Sequence, residues 1–248
     1  MERHPVILSI AGSDCSGGAG IQADIKTISA LGGYAASAIT AVTVQNTLGV
    51  RAVHAIPPEI VCGQIEAVME DLQPVAVKIG MVNDIQIVHV IADCIRKYSP
   101  EHIIYDPVMV STSGRRKLMT DEAIEEIKKK LLPLVTLVTP NIDEAKVLTG
   151  KSIQNTQDML EAAKQLSDSY QTHILIKGGH LEGDQMCDLL YSPDHTYYIY
   201  EEKKIESKNL HGTGCTLSSA IASYLAKGYS MKDSICHAKE YITHAIIA

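Results

Sequence analysis

Residues 6–24 read VILSIAGSDCSGGAGIQAD. An apolar run at 6–10, of a length suited to a buried strand, gives way to turn chemistry at Ala11-Gly12-Ser13-Asp14. Ser16-Gly17-Gly18-Ala19-Gly20 then leads into an apolar-periodic segment at 19–31. A strand that feeds a glycine-rich loop and then a helix is the unit from which parallel α/β sheets are built. Glycines at such a junction also let a ligand approach the backbone closely.

Outward from this unit the same alternation continues. Short apolar runs at 38–44, 75–79, 103–105, 135–138 and 174–176 read as buried strands. Helical periodicity covers 59–72, 85–98, 121–131, 157–169, 216–227 and 231–246, with apolar residues spaced as Ile124, Ile127 and Leu131 are. Asp121 and Asp158 stand near helix starts, where a carboxylate suits the positive end of the dipole. Continuous apolar strands between helices predict a mostly parallel sheet covered on both faces. Residues 186–205 differ. Tyr197, Ile199 and Glu201 alternate there and Pro193-Asp194 offers a turn, so a β-hairpin added to the sheet is expected. No linker-like stretch divides the chain, which reads as one domain, 1–248.

Composition narrows the function classes. The chain has 248 residues, 46% hydrophobic and 21% charged, with no Trp and no Phe, so Leu, Ile, Val, Ala, Met and Tyr must fill the core. A net charge of −7 without a basic stripe argues against a nucleic-acid partner. The six cysteines form no C-x-x-C pair and are widely spaced, which points to reduced thiols in a cytoplasmic protein. Neither a signal peptide nor a run of ~20 apolar residues is read, so no membrane association is expected.

Ligands of open parallel sheets bind beyond the carboxyl ends of the strands. The residues just past each strand are therefore informative: Gly12-Ser13-Asp14, Gln45-Asn46, Gly80-Met81, Asp106-Pro107-Val108-Met109, Thr139-Pro140-Asn141 and Lys177-Gly178-Gly179. Turn chemistry explains Gly, Asp, Asn and Pro at any one end, but not Gln45, Met81 and Lys177 together.

Three motifs carry chemistry. Gly18-Ala19-Gly20-Ile21-Gln22-Ala23 fits the loose dinucleotide pattern G-x-G-x-x-A, yet residues 38–45 lack the acid that would bind ribose, and Asp24 is only one helical turn in. An NAD-dependent oxidoreductase is disfavoured on that ground. The second motif, His211-Gly212-Thr213-Gly214-Cys215-Thr216, opens an apolar helix. Glycine N–H groups at a helix start form an anion site, and a thiol there is expected to be acidified by the dipole; the competing reading is a buried structural cysteine. The third gathers Asp106, Thr139, Asn141 and Glu144, the oxygen donors that Mg²⁺ prefers, although an acid at position 144 also suits a capping box. Lys177 before two glycines is either a phosphate partner or a solvated lysine. No G-x-x-x-x-G-K-[ST] loop occurs, which excludes a Walker-type ATPase, and no His-x-x-x-His pair suggests zinc.

Taken together these motifs, with Ala38-Ile39-Thr40-Ala41, Gln45-Asn46-Thr47, Lys78-Ile79-Gly80-Met81 and Lys177-Gly178-Gly179-His180, resemble the ribokinase-like superfamily. The resemblance is closest to its hydroxymethylpyrimidine/phosphomethylpyrimidine kinases of thiamine biosynthesis and runs from about residue 6 to the end. It implies a three-layer α/β/α sandwich without a separate lid domain. It also implies ATP-dependent phosphorylation of 4-amino-5-hydroxymethyl-2-methylpyrimidine and then of its monophosphate. Gly12, Asp24, Val44, Gln45, Met81 and Val108 would bind the aminopyrimidine beside Cys215, the catalytic base. Gly212, Thr213 and Gly214 would form the anion hole. Lys177, Asn141 and Thr139 would serve ATP, with Asp106 and Glu144 on Mg²⁺. A homodimer is the family expectation. Relatives often carry a lysine in the loop after Asp106, where this chain has Arg115 and Lys117. Two other readings stay open: a pyridoxal or pyridoxine kinase of the same branch, and a non-catalytic ligand-binding relative.

Overall fold

The computed structural model describes residues 4–46, 48–109, 119–178, 185–203 and 212–247. Thr47, Arg115, Lys117, Gly179, His180 and His211 lie outside them. Among the described residues nine strands form one sheet in the order β3-β2-β1-β4-β5-β6-β7-β8-β9. They are β1 (Val6–Asp14), β2 (Tyr34–Asn46), β3 (Gly49–Ala55), β4 (Ala76–Ile79), β5 (His102–Tyr105), β6 (Leu137–Val138), β7 (His173–Ile176), β8 (Gln185–Tyr191) and β9 (Tyr197–Lys203). The six central strands, β1, β2 and β4 to β7, run parallel, while β3, β8 and β9 pair antiparallel at the two edges. The expected hairpin is β8–β9. β3 was not expected.

The helices are α1 (Gly20–Ala30), α2 (Pro58–Asp71), α3 (Ile85–Tyr98), α4 (Asp121–Glu126), α5 (Ile142–Thr149), α6 (Thr156–Tyr170), α7 (Thr213–Ala226) and α8 (Met231–Ile247). The expected helix at 121–131 splits into α4 and a π-helical turn, Ile127–Leu131. Alternation along the strands sorts side chains to two cores. Ile7, Ala76, Ile104, Leu137 and Leu175 face α1, α7 and α8. Leu8, Ile10, Val77, Ile79, Ile103 and Tyr105 face the layer of α2 to α6. The result is the expected three-layer sandwich. No helix among the described residues is long and apolar enough to cross a membrane.

Two features of this frame place the site. The connections leave β1 toward β2 on one side and reach β4 on the other, so the topological switch lies between β1 and β4. The register also aligns Ile10, Ile79, Tyr105 and Val138 across four strands, so the residues after them share one rim.

Candidate active site

Most helices here have side-chain caps. Asp84 accepts from Gln86 N at 2.7 Å, Thr120 from Ala123 N at 3.2 Å and Asn155 from Asp158 N at 2.9 Å. Neither α1 nor α7, which start in the two glycine loops, has a side-chain cap or an acid in its first turn. A helix start of this kind is suited to an anion.

The two loops interlock. Gly212 adopts φ 83°, and a Cβ built on it would lie 1.7 Å from the Gly18 carbonyl oxygen. Only glycine allows both that backbone and that approach. Gly20, at φ 57°, leaves room in the same way for the Gly12 carbonyl, and Gly12 leaves room for Met81 Cε. Asp14 organises the first loop, accepting from Ser16 N (2.8 Å), Ser16 Oγ (2.7 Å) and Ala19 N (2.9 Å).

Across from Gly214 lies a charged pair. Lys177 Nζ donates to Asp106 Oδ1 at 2.8 Å, and Thr139 Oγ1 donates to the same oxygen at 3.0 Å. A Cβ on Gly214 would be 3.5 Å from both Asp106 Oδ2 and Lys177 Nζ. Burial acts to raise the Asp106 carboxyl, but the Lys177 and Lys78 ammonium groups outweigh it and hold it below its ordinary value. Lys177 titrates above its ordinary value: burial works against its charge, and Asp106 and Glu144 more than compensate. Glu144 is pushed up to about 7 by burial, with Lys177 opposing and Asp106 reinforcing.

The capping-box reading of Glu144 holds. It closes a capping box with Asn141, each accepting from the other's backbone N–H at 2.8 and 2.9 Å, and it also sits within the field of Lys177 and Asp106. Among the described residues no group of three or more His, Cys, Asp or Glu gathers to hold a metal. Mg²⁺ commonly takes one or two carboxylates and fills its remaining positions with water and phosphate. Asp106 Oδ2, whose described hydrogen bond is a long one of 3.4 Å from Ser218 Oγ, fits that sparse donor set.

Beneath the loops runs a buried network. Lys78 Nζ binds both oxygens of Asp24 at 2.9 Å, while Ser9 Oγ and Ser219 Oγ donate to the same carboxylate at 2.5 and 2.6 Å. Cys215 is half-buried above it. The expectation of a dipole-acidified thiol is corrected here: burial pushes Cys215 up to about 11, with Lys78 pulling against it and Asp24 and Asp106 adding to it.

Two of the expected ligand residues are buried. Asp24, read as a substrate ligand, has 0% exposure and spends its carboxylate on Lys78, Ser9 and Ser219. Thr139, read as a nucleotide contact, is likewise wholly buried and supports Asp106 from below. Asn141 caps α5 with its side-chain oxygen. Gln45 is tied to Cys15 through its backbone (O at 3.1 Å, N at 3.4 Å) and to Thr43 Oγ1 through Oε1 (3.1 Å). Val44 is exposed and Val108 is half-buried. Lys78 was missed as a site residue, although a lysine inside the apolar run 75–79 was a visible signal. Ser218 and Ser219 were missed because hydroxyls in a small-residue helix face read as close packing.

A model of the family described as phosphomethylpyrimidine kinase matches residues 14–248. The hydroxymethylpyrimidine/phosphomethylpyrimidine kinase of Rhizobium meliloti is 47% identical over 244 residues, covering 98% of this chain and 91% of that one. A crystal structure of phosphomethylpyrimidine kinase from Clostridium difficile superimposes with a TM-score of 0.87 at 46% identity, covering 98% of this chain and 99% of that one. The pyridoxal kinase from Staphylococcus aureus, solved in complex with pyridoxal, gives 0.90 at 33% identity, covering 99% and 88%. The chain spans about half the length of the bifunctional thiamine biosynthesis proteins among its curated relatives. Matched over nearly all of its length by the family model, the chain belongs to the phosphomethylpyrimidine kinase family and is a kinase.

Proposed function

We propose that the chain, acting as one domain over 1–248, transfers the γ-phosphoryl group of ATP to the hydroxyl of 4-amino-5-hydroxymethyl-2-methylpyrimidine, and then phosphorylates the monophosphate to the diphosphate. The observation that carries this reading is the start of α7. Its N-cap residue, Gly212, makes no side-chain cap and is seated on Gly18, and Gly214 faces the Asp106–Lys177 pair. Phosphoryl transfer needs alignment and charge stabilisation more than covalent help. N–H groups of Gly212, Thr213, Gly214 and Cys215 aimed at the transferred oxygens supply stabilisation, and Lys177 holds the nucleotide phosphates as a point charge. Asp106 and Glu144 would hold Mg²⁺, which when bound neutralises phosphate charge.

The pyrimidine would lie between Gly12 and Met81 on one side and Gln45 and Val108 on the other, its hydroxymethyl group toward Cys215. Gln45 offers both donor and acceptor to an aminopyrimidine edge. Cys215 as thiolate takes the hydroxyl proton in the first step. Free thiols at all six cysteines suit work in the cytoplasm, and the exposed β9 edge, with Tyr197 and Ile199, suits a homodimer contact.

Incubation with ATP, Mg²⁺ and the pyrimidine monophosphate, followed by phosphorus NMR, tests this: a diphosphate product supports the assignment. The fold likeness to a pyridoxal kinase (TM-score 0.90) favours one second reading, vitamin B6 phosphorylation. Turnover of pyridoxal with none of the monophosphate would select it.

A further inference from the structure

A buried lysine–aspartate pair is an odd component of a sheet core. Lys78 stands in the middle register of β4, between Val77 and Ile79, and has 0% exposure. Taking both charges out of water costs several kcal/mol per ion, and well-packed apolar residues of similar volume commonly do as well for stability. The fold alone therefore does not call for Lys78 and Asp24.

Their placement points elsewhere. The Lys78 side chain runs toward the carboxyl end of β4, where a Cβ on Gly80 would be 3.0 Å from its Nζ. Both oxygens of Asp24 accept from the Lys78 ammonium. Ser219, which donates to Asp24 at 2.6 Å, lies one turn after Cys215 on α7, so the two project from the same face of that helix. The charged groups that act on Cys215 are Lys78 from β4, Asp24 from α1, Asp106 after β5 and Lys177 after β7. Lys78 Nζ and Ser219 Oγ share the Asp24 carboxylate, which sets the ammonium under the face of α7 that carries Cys215, and its positive charge favours negative charge on sulfur.

We propose that Lys78 is a positioning residue for the first phosphoryl transfer: its ammonium, oriented by Asp24, favours the thiolate of Cys215. The proposal rests on the reading of Cys215 as the base. In that step the hydroxyl proton passes to Sγ, the hydroxyl oxygen forms a bond to the γ-phosphorus, and the bond from that phosphorus to ADP breaks. Asp24 restrains Lys78, so the two residues act on the thiol with opposite sign.

The test is the pH dependence of iodoacetamide alkylation at Cys215, read on its own peptide by mass spectrometry because Cys15 and Cys236 are exposed. Lys78→Met should move the thiol titration upward, slowing alkylation about ten-fold at fixed pH. Asp24→Asn, which keeps the shape and leaves Lys78 charged, should move it downward. Should Lys78→Met fail to fold, the double variant Lys78→Met/Asp24→Asn leaves no unpaired buried charge and should still titrate above wild type. First-step rates at fixed pH should follow the same order. No shift in the lysine variants, or shifts of one sign in both single variants, would overturn the proposal. Thiol shifts of the expected signs with an unchanged first-step rate would instead overturn the reading of Cys215 as the base.

Discussion

Replacing Gly212 by alanine tests the interlocked loops most sharply. At φ 83° a non-glycine residue costs about 1–2 kcal/mol. The new Cβ would sit 1.7 Å from Gly18 O, 2.8 Å from Gly18 C and 3.4 Å from Ala19 Cα, and all three are backbone atoms that cannot rotate away. An ordinary carbon–oxygen contact is about 3.3 Å, so the loops must part by roughly 1.5 Å. That displacement moves the α7 N–H groups from the position of the transferred phosphoryl. A misplacement of about 1 Å typically costs about a hundred-fold in rate. We expect kcat to fall about a hundred-fold, equivalent to about 2.7 kcal/mol, while the protein still folds. A coupled assay of ADP release gives kcat, and urea unfolding gives stability. Wild-type kcat in a folded Gly212→Ala protein would refute the reasoning, because it would mean that the loop separation does not matter to transfer.

Gly63→Ala is the matching control. Gly63 is exposed in α2, a Cβ there meets nothing within 4 Å, and urea unfolding should show a gain of about 0.5–1 kcal/mol with unchanged kcat. Lys177→Met removes the ammonium from Asp106, and kcat/KM for ATP should drop by about 10²–10³ in initial-rate assays. Glu144 gives a pH signature in the metal-free, nucleotide-free protein. Its folded carboxyl titrates at about 7 against an ordinary 4.5, so the folded state favours the protonated form. Stability is therefore full below about 4.5 and falls by about 3 kcal/mol as pH rises through about 7. Urea unfolding at several pH values should show this fall in wild type and lack it in Glu144→Gln.

Much of the architecture was legible because it follows from periodicity. The apolar strand runs, the amphipathic helices and the β8–β9 hairpin each carry a local signal. β3 does not: GVRAVHA places Arg51 and His54 on an exposed edge beside a hairpin turn with no Asn-Gly or Asp-Gly pair. β2 is longer than the apolar run at 38–44 because its first four residues, Tyr-Ala-Ala-Ser, are rich in small residues of low strand propensity. At the site, strand ends and glycine loops were readable, since glycine marks where backbones meet. The direction in which a side chain points was not. Asp24 lies in the right turn of α1 yet turns inward to Lys78, and Thr139 lies at the right strand end yet supports Asp106 from beneath. The thiol of Cys215 goes against expectation because burial, a property of the packed protein that the motif does not show, raises it.

The role of Cys215 separates the two phosphorylations, because only the first must release a hydroxyl proton. Single-turnover rates of both steps in Cys215→Ala are the most direct measurement. We expect the first step to fall by about 10²–10⁴ and the second to change far less. Equal losses in both steps would contradict the assignment of the thiol as the base that serves the anion hole of α7.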